Sequence, residues 1–148
     1  MSIDNDSDFK TALGELSRAG QRLVAARFAE NVLALSSDPR VKSTINLAKR
    51  TDIIEDELAA AVQSAKAASV DSFTQCGHEC DWNKQAGHFV AEAALSCVKP
   101  TEPDGNPAWD TAMHARMART CAAIAAGAGT GNDEAAAQYR ILAEFQKS

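Results

Sequence analysis

A proline junction between two apolar-faced helical segments, within residues 21–50 (QRLVAARFAENVLALSSDPRVKSTINLAKR), constrains the fold more than any other feature. Asp38 suits the helix cap because its carboxylate accepts a hydrogen bond from an unpaired backbone N–H. Pro39 suits the first helical position, which needs no N–H. Apolar residues recur at helical spacing on both sides: Leu23, Phe28, Val32 and Leu35 before the junction, and Val41, Ile45 and Ala48 after it. We therefore expect consecutive helices that bury their apolar stripes in a bundle.

The composition favours helices along the whole chain. Thirty of the 148 residues are alanine, and only eight are Phe, Tyr or Trp. Alanine is the best helix former, whereas strands prefer branched and aromatic residues. No strand-like alternation occurs, so the sequence predicts an all-α fold, a bundle of about six helices. At this length we expect residues 1–148 to form a single domain.

Capping, glycine and proline signals mark the boundaries of these helices. Residues 1–7 are polar, and we expect them to fray. Residues 8–36 could form one long helix or two, and we favour a break at Gly20 because glycine costs about 1 kcal/mol in a helix. Residues 99–107 (KPTEPDGNP) hold three of the four prolines, so they should form a loop.

The later helices follow from the same signals. Asp52 and Glu55 have capping-box spacing, and the helix that they open should end near Phe73, before a turn at Gly77. Further helices are expected at about residues 79–98, 107–126 and 133–146. The residues that we expect to face inward include Trp82, Ala86, Phe89, Val90, Cys97, Met113, Met117 and Cys121.

The charge of the chain excludes several kinds of partner. A net charge of −5 argues against nucleic acid, because phosphate binding needs a basic face, but it suits a basic protein. No run approaches the ~20 apolar residues of a membrane span. The acidic start, MSIDNDSDF, is unlike a signal or transit peptide. We therefore expect a cytoplasmic protein with reduced cysteines and no membrane partner.

A distinctive pattern lies within residues 20–98. The motif R-x-x-A-A-R-F-A-E-x-V-L-x-L precedes Asp-Pro-Arg and a short helix with an Ile-x-x-Ala step; its most specific parts are residues 28–30 and 38–40. This pattern resembles the alanine-rich helical immunity proteins of bacterial polymorphic toxin systems. Residues 86–97 (AGHFVAEAALSC) are similar to the family's alanine-rich helix with a central histidine. The resemblance implies a protein that binds and neutralises a toxin, without naming that toxin.

Four acidic residues gather near the start of one predicted helix: Asp52, Glu55, Asp56 and Glu57. Carboxylates in a first turn complement the positive end of the helix dipole, which explains them without any function. They could also dock a basic toxin domain. Both interpretations stay open, and these residues are our candidate partner-binding site.

Cysteine and histidine concentrate at Cys76-Gly-His78-Glu-Cys80, and His88 follows later. These four side chains could hold Zn²⁺ tetrahedrally, although the second Cys-x2–4-Cys pair of common zinc sites is absent. Cys76 and Cys80 could instead form a redox pair, because residues four apart on a helix lie about 6 Å apart. The simplest interpretation is an exposed turn beside ordinary core cysteines.

The sequence carries no motif of known catalytic geometry. It lacks a Gly-x-Ser-x-Gly elbow, a phosphate-binding glycine loop with its lysine, and the Glu-x-x-His pairs of a di-iron site. We therefore favour a non-enzymatic interaction protein without a cofactor. Two alternatives stay open: a zinc or thiol module at residues 76–80, and a small enzyme or ligand-binding bundle with a site between helices.

Overall fold

Seven α-helices and one short 3₁₀ helix form the described part of the chain, which contains no strand. A computed structural model describes residues 2–79, 81–100 and 102–147, except for the side chains of residues 76–79. The α-helices are α1 (Asp6–Gly14), α2 (Arg18–Asn31), α3 (Pro39–Ala48), α4 (Glu55–Glu79), α5 (Trp82–Val98), α6 (Pro107–Ala125) and α7 (Glu134–Lys147), and the 3₁₀ helix is Leu33–Leu35. The predicted all-α class is confirmed, with seven helices rather than about six.

Two helix starts agree with the cap-and-proline signals. Asp38 accepts a hydrogen bond from the Arg40 N–H at 2.9 Å, and the intervening proline is the first residue of α3. Asn106 likewise accepts a hydrogen bond from the Trp109 N–H at 3.1 Å, and a proline again opens the helix. The junction in residues 36–39 and the loop before α6 are therefore predictable from local chemistry alone.

The break within residues 8–36 comes earlier than Gly20, so that prediction was wrong. Helix α1 ends at Gly14, and Ser17 caps α2 by accepting a hydrogen bond from the Gly20 N–H at 3.0 Å. Gly20 therefore lies in the first turn of α2 and does not interrupt it. The hydroxyl cap, rather than the glycine, sets the boundary.

Two other boundaries also differ from the predictions. Asn5 accepts a hydrogen bond from the Asp8 N–H at 2.9 Å and caps α1, so the helix already includes Asp6 from the segment that we expected to fray. Helix α4 does not end near Phe73 but continues through Gly77 to Glu79. A single glycine lowers helix stability without being sufficient to end a helix.

The cap of α4 uses a different carboxylate from the predicted one. Glu57 accepts a hydrogen bond from the Ile54 N–H at 3.3 Å, which is the backward half of a capping box. Asp52 bonds to Arg50 instead, at 3.0 Å. The predicted pairing of Asp52 with Glu55 was therefore wrong by two residues.

Helix α5 lies at the centre of the bundle. It packs between α4 and α6, and its rear side contacts α2 and α3. Alanines fill much of these interfaces: Ala65, Ala68, Ala91, Ala93, Ala94, Ala112 and Ala115 are buried. Such small side chains allow helices to approach closely. Two large side chains that we expected inside, Trp82 and Met117, are instead 43% and 48% exposed.

Helix α7 covers α2 and the adjoining side of α6. It follows a glycine-rich connection in which Gly127 and Gly129 adopt positive φ values of 76° and 73°. Leu142 and Gln138 of α7 are fully buried. None of the helices in the described residues combines the length and apolar character that a membrane crossing requires.

Candidate functional site

The predicted acidic cluster is partly neutralised by a neighbouring arginine. Arg50 lies 3.0 Å from the Asp52 carboxylate and 2.8 Å from that of Glu57. Its guanidinium also holds the pKa of Asp52 below the usual value. Glu55 and Asp56 are exposed. Docking of a basic partner at this cluster stays a prediction, and these two carboxylates are the members of the cluster that Arg50 does not pair with.

The predicted zinc or thiol site falls largely outside the described residues. Cys80 lies outside them, as do the side chains of Cys76 and His78. His88 is described, and its Nδ1 lies 2.9 Å from the Ser72 hydroxyl. The zinc and redox interpretations therefore stay predictions.

The environment of His88 resembles a structural network more than a catalytic one. The Ser72 hydroxyl donates to the Ser69 carbonyl at 2.9 Å, so its one hydrogen is engaged and His88 Nδ1–H is left to donate to it. The other ring nitrogen of His88 lies 3.6 Å from Glu92. A histidine that donates to a serine cannot take its proton, so this geometry does not activate Ser72 as a nucleophile. The network instead joins α4 to α5.

A row of rings crosses three helices on one side of the bundle. The ring centroids of Phe73 in α4 and His88 in α5 lie 5.7 Å apart. Those of Phe89 in α5 and His114 in α6 lie 6.5 Å apart and are stacked. His88 and Phe89 are neighbours at 5.6 Å, so the row is continuous. We define the open face as the rings of Phe73, Phe89 and His114 together with three side chains at helical spacing from them, Val70, Trp82 and Met117.

The open face exposes large apolar side chains to an unusual degree. Val70 is 60% exposed and Phe73 is 67% exposed, in addition to Trp82 and Met117. Helical spacing places these residues on one side, because Val70 precedes Phe73 by three positions and Met117 follows His114 by three. A single exposed apolar residue is ordinary, but a contiguous group indicates a surface that meets something.

Residue periodicity did not predict this face, because it does not reveal which apolar stripe another helix covers. One signal was present. A second stripe in α4, beside the buried one of Ala61, Ala65 and Ala68, runs through Val62, Lys66, Val70 and Phe73. A helix with two adjacent apolar stripes has more apolar surface than one neighbour can bury.

His114 is the polar member of the open face. Its Nδ1 is buried and has no hydrogen-bond partner among the described residues. Burial lowers the pKa of His114, and the carboxylates of Glu92 and Asp110 oppose that effect in part. The neutral imidazole is therefore favoured, and this side of α6 carries an unsatisfied polar atom at an apolar surface.

A groove continues the open face toward the other end of α5. It holds about 440 Å³ between α4, α5 and the loop that precedes α6. Lys66, Leu95, Lys99 and Asp110 contribute to its walls. The open face and this groove together follow α5 along much of its length.

Two larger clefts carry charged groups that already have partners. One, of about 750 Å³, includes Arg40, which bonds to Asp38 at 2.8 Å and to Asp71 at 3.0 Å. The other, of about 870 Å³, includes the ion pair of Lys49 and Glu30. A small-molecule site needs convergent groups that are able to bind the ligand, and these pairs would first have to separate.

The chain has no detectable match to a protein-family model, and searches of curated proteins and of solved structures found no significant similarity. The resemblance to immunity proteins therefore rests on the residue pattern alone. Among the features of the described residues, the open face is the one that most clearly indicates a function.

Proposed function

We propose that this chain is a non-enzymatic, immunity-type protein that neutralises a partner toxin in the cytoplasm by stoichiometric binding. The open face carries the proposal. It presents Val70, Phe73, Trp82 and Met117 with exposures between 43% and 67%, and contiguous apolar surface of this kind marks protein-binding sites. Aromatic residues and methionine are also the types that interfaces favour.

The predicted acidic cluster agrees with a basic partner. Glu55 lies on the same stripe of α4 as Val62 and Phe73, because the positions between them are spaced by three or four residues. Glu55 lies about 27 Å from Phe73 along the helix axis, so a basic toxin domain would meet both by covering most of the length of α4. Such charges chiefly raise the association rate and the specificity, while the apolar centre supplies most of the affinity.

The test is a search for a toxin gene beside this one, followed by an assay of whether this protein neutralises its product. Cells that express the toxin should survive when they co-express this protein, and the two chains should co-purify in a 1:1 complex. Protection should be lost with Val70→Ser combined with Phe73→Ser. The matched control is Ile54→Ser, because Ile54 is 59% exposed but lies outside the open face. Circular dichroism would verify that each variant is folded.

A charge-reversal variant distinguishes the acidic cluster from the open face as the binding surface. Glu55→Lys with Asp56→Lys reverses the exposed charges and leaves Glu57, which caps α4, unchanged. We expect slower association and weaker binding at low salt, with less effect at high salt. If the open-face variant protects as well as the wild type, the open face is not the binding surface; if the adjacent toxin is never bound or neutralised, the immunity role fails.

A further inference from the structure

The shape of the open face fits one elongated partner element. The outward side of α5 forms a floor, because Phe89, Glu92 and Leu95 are half-buried. Val70 and Phe73 of α4 border this floor on one side, Met117 of α6 borders it on the other, and all three are exposed. Helix α5, along which this floor runs, has 17 residues and is about 25 Å long. A single helix laid between α4 and α6 matches these proportions.

The charge of the floor and its groove disfavours a second copy of this chain as the partner. Glu92, Glu102 and Asp110 border this surface, against Lys66 and Lys99. The surplus is therefore acidic, and it has the same sign as the net charge of −5. Two copies of the chain would repel each other, whereas a cationic partner would be attracted.

We infer that the open face is the seat of one cationic amphipathic helix of the partner, which lies along α5 between α4 and α6. This inference rests on the proposed function and specifies how the toxin is held. The apolar stripe of the incoming helix covers Val70, Phe73, Phe89 and Met117. Its lysine or arginine residues reach Glu102 and Asp110, which are exposed at the groove.

Synthetic peptides test this inference without the toxin. One peptide of about 18 residues carries leucines at positions i, i+3, i+4 and i+7, flanked by lysine and arginine; a second replaces every basic residue with glutamate. Calorimetry should show that the cationic peptide binds at least about tenfold more tightly, a difference of about 1.4 kcal/mol. Phe73→Ser should weaken this binding by a similar factor, and Ile54→Ser should leave it unchanged.

Several results would overturn the inference. These are no binding of the cationic peptide, equal binding of both peptides, or binding that Phe73→Ser does not weaken. Light scattering that reveals a dimer, dissociated by Phe73→Ser, would assign the face to a second copy instead. Selective peptide binding without toxin neutralisation would refute the immunity role but support the open face as a helix-binding site. Neutralisation that survives Phe73→Ser would support the immunity role but refute the open face as the toxin-binding site.

Discussion

Helix α6 has one side that other helices of the chain cover and one side that they leave partly exposed. On the side covered by α1 and α7, Arg116 and Arg119 are held by partners from distant parts of the chain. On the other side, His114 and Met117 belong to the open face, and a buried ring nitrogen lacks a partner among the described residues. One side of α6 is therefore packed and hydrogen-bonded, whereas the other side is partly exposed and carries a nitrogen that no described residue pairs with.

Arg116 lies on the side of α6 that α1 and α7 cover. Its guanidinium bonds to the Asp6 carboxylate at 3.0 and 2.8 Å and to the Gln138 side chain at 2.8 Å. It also lies 5.7 Å from the centroid of Phe9 and 5.9 Å from that of Tyr139, within cation–π range. Polar groups can be buried here because the chain itself supplies hydrogen-bond partners for them. The open face lacks such a layer, which is why we assign its covering to another molecule.

The largest expected effect comes from exchanging one phenylalanine on each side for alanine. Phe9 is fully buried and packs against Phe28 at 5.6 Å and Tyr139 at 5.1 Å, so Phe9→Ala should lower the free energy of unfolding by about 3–5 kcal/mol. Phe73→Ala, on the open face, should change it by no more than about 0.5 kcal/mol. Urea unfolding of both variants measures the two values.

The opposite outcome would contradict this difference between the two sides of α6. If Phe73→Ala destabilised the isolated protein as much as Phe9→Ala, the open face would be part of the core and no partner would be needed to explain it. If Phe73→Ala weakened toxin binding more than Phe9→Ala did, the exposed side would be the one that serves binding.

Local chemistry made part of this fold predictable. The caps at Asp38 and Asn106 act within their own helices, so a sequence of a few residues already contains both partners of each hydrogen bond. Alanine content and periodicity fixed the helical class for the same reason. Boundaries failed where two signals competed, as at Gly20, where the cap at Ser17 decided the outcome.

The distribution of covered and uncovered stripes was not predictable from local sequence. Arg116 and Asp6 are 110 residues apart in the chain, and no short-range pattern announces their contact. Trp82 looks like a core anchor by residue type, yet α6 and α4 leave it exposed. Which apolar stripe stays open depends on how all seven helices of the described chain pack together.

Paired glutamine substitutions give the next largest contrast. Gln138 is fully buried, donates to the Ala112 carbonyl at 2.9 Å and accepts from Arg116. Gln138→Leu removes both bonds and should cost about 1–3 kcal/mol, because the Arg116 Nε–H loses its acceptor, whereas the Ala112 carbonyl keeps its bond within α6. Gln85→Leu, at a half-buried position on the outward side of α5, should change stability by less than about 0.5 kcal/mol. Thermal unfolding of both variants would test the contrast, and equal losses would contradict it.

The smallest expected effect concerns the pH dependence that His114 gives to the open side. Burial lowers its pKa in the folded state from the ordinary value of 6.5, and protonation would place N–H groups on both ring nitrogens although the buried Nδ1 has no acceptor among the described residues. As the pH falls through 6.5, the unfolded chain gains a proton that the folded chain does not. Stability contributed by the neutral ring is therefore lost on acidification, until the pH passes below the folded pKa.

His114→Leu should remove this contribution, because leucine cannot titrate and leaves no unpaired nitrogen. The difference in the free energy of unfolding between His114→Leu and the wild type, measured in urea at pH 7.5 and pH 5.5, should move in favour of the variant at the lower pH. Met117→Leu alters the same face without removing a titratable group, so it should keep the wild-type pH dependence. A His114→Leu protein whose stability followed the wild type at both pH values would mean that folding does not lower the pKa of the imidazole, and the contrast between the two sides of α6 would then rest on exposure alone.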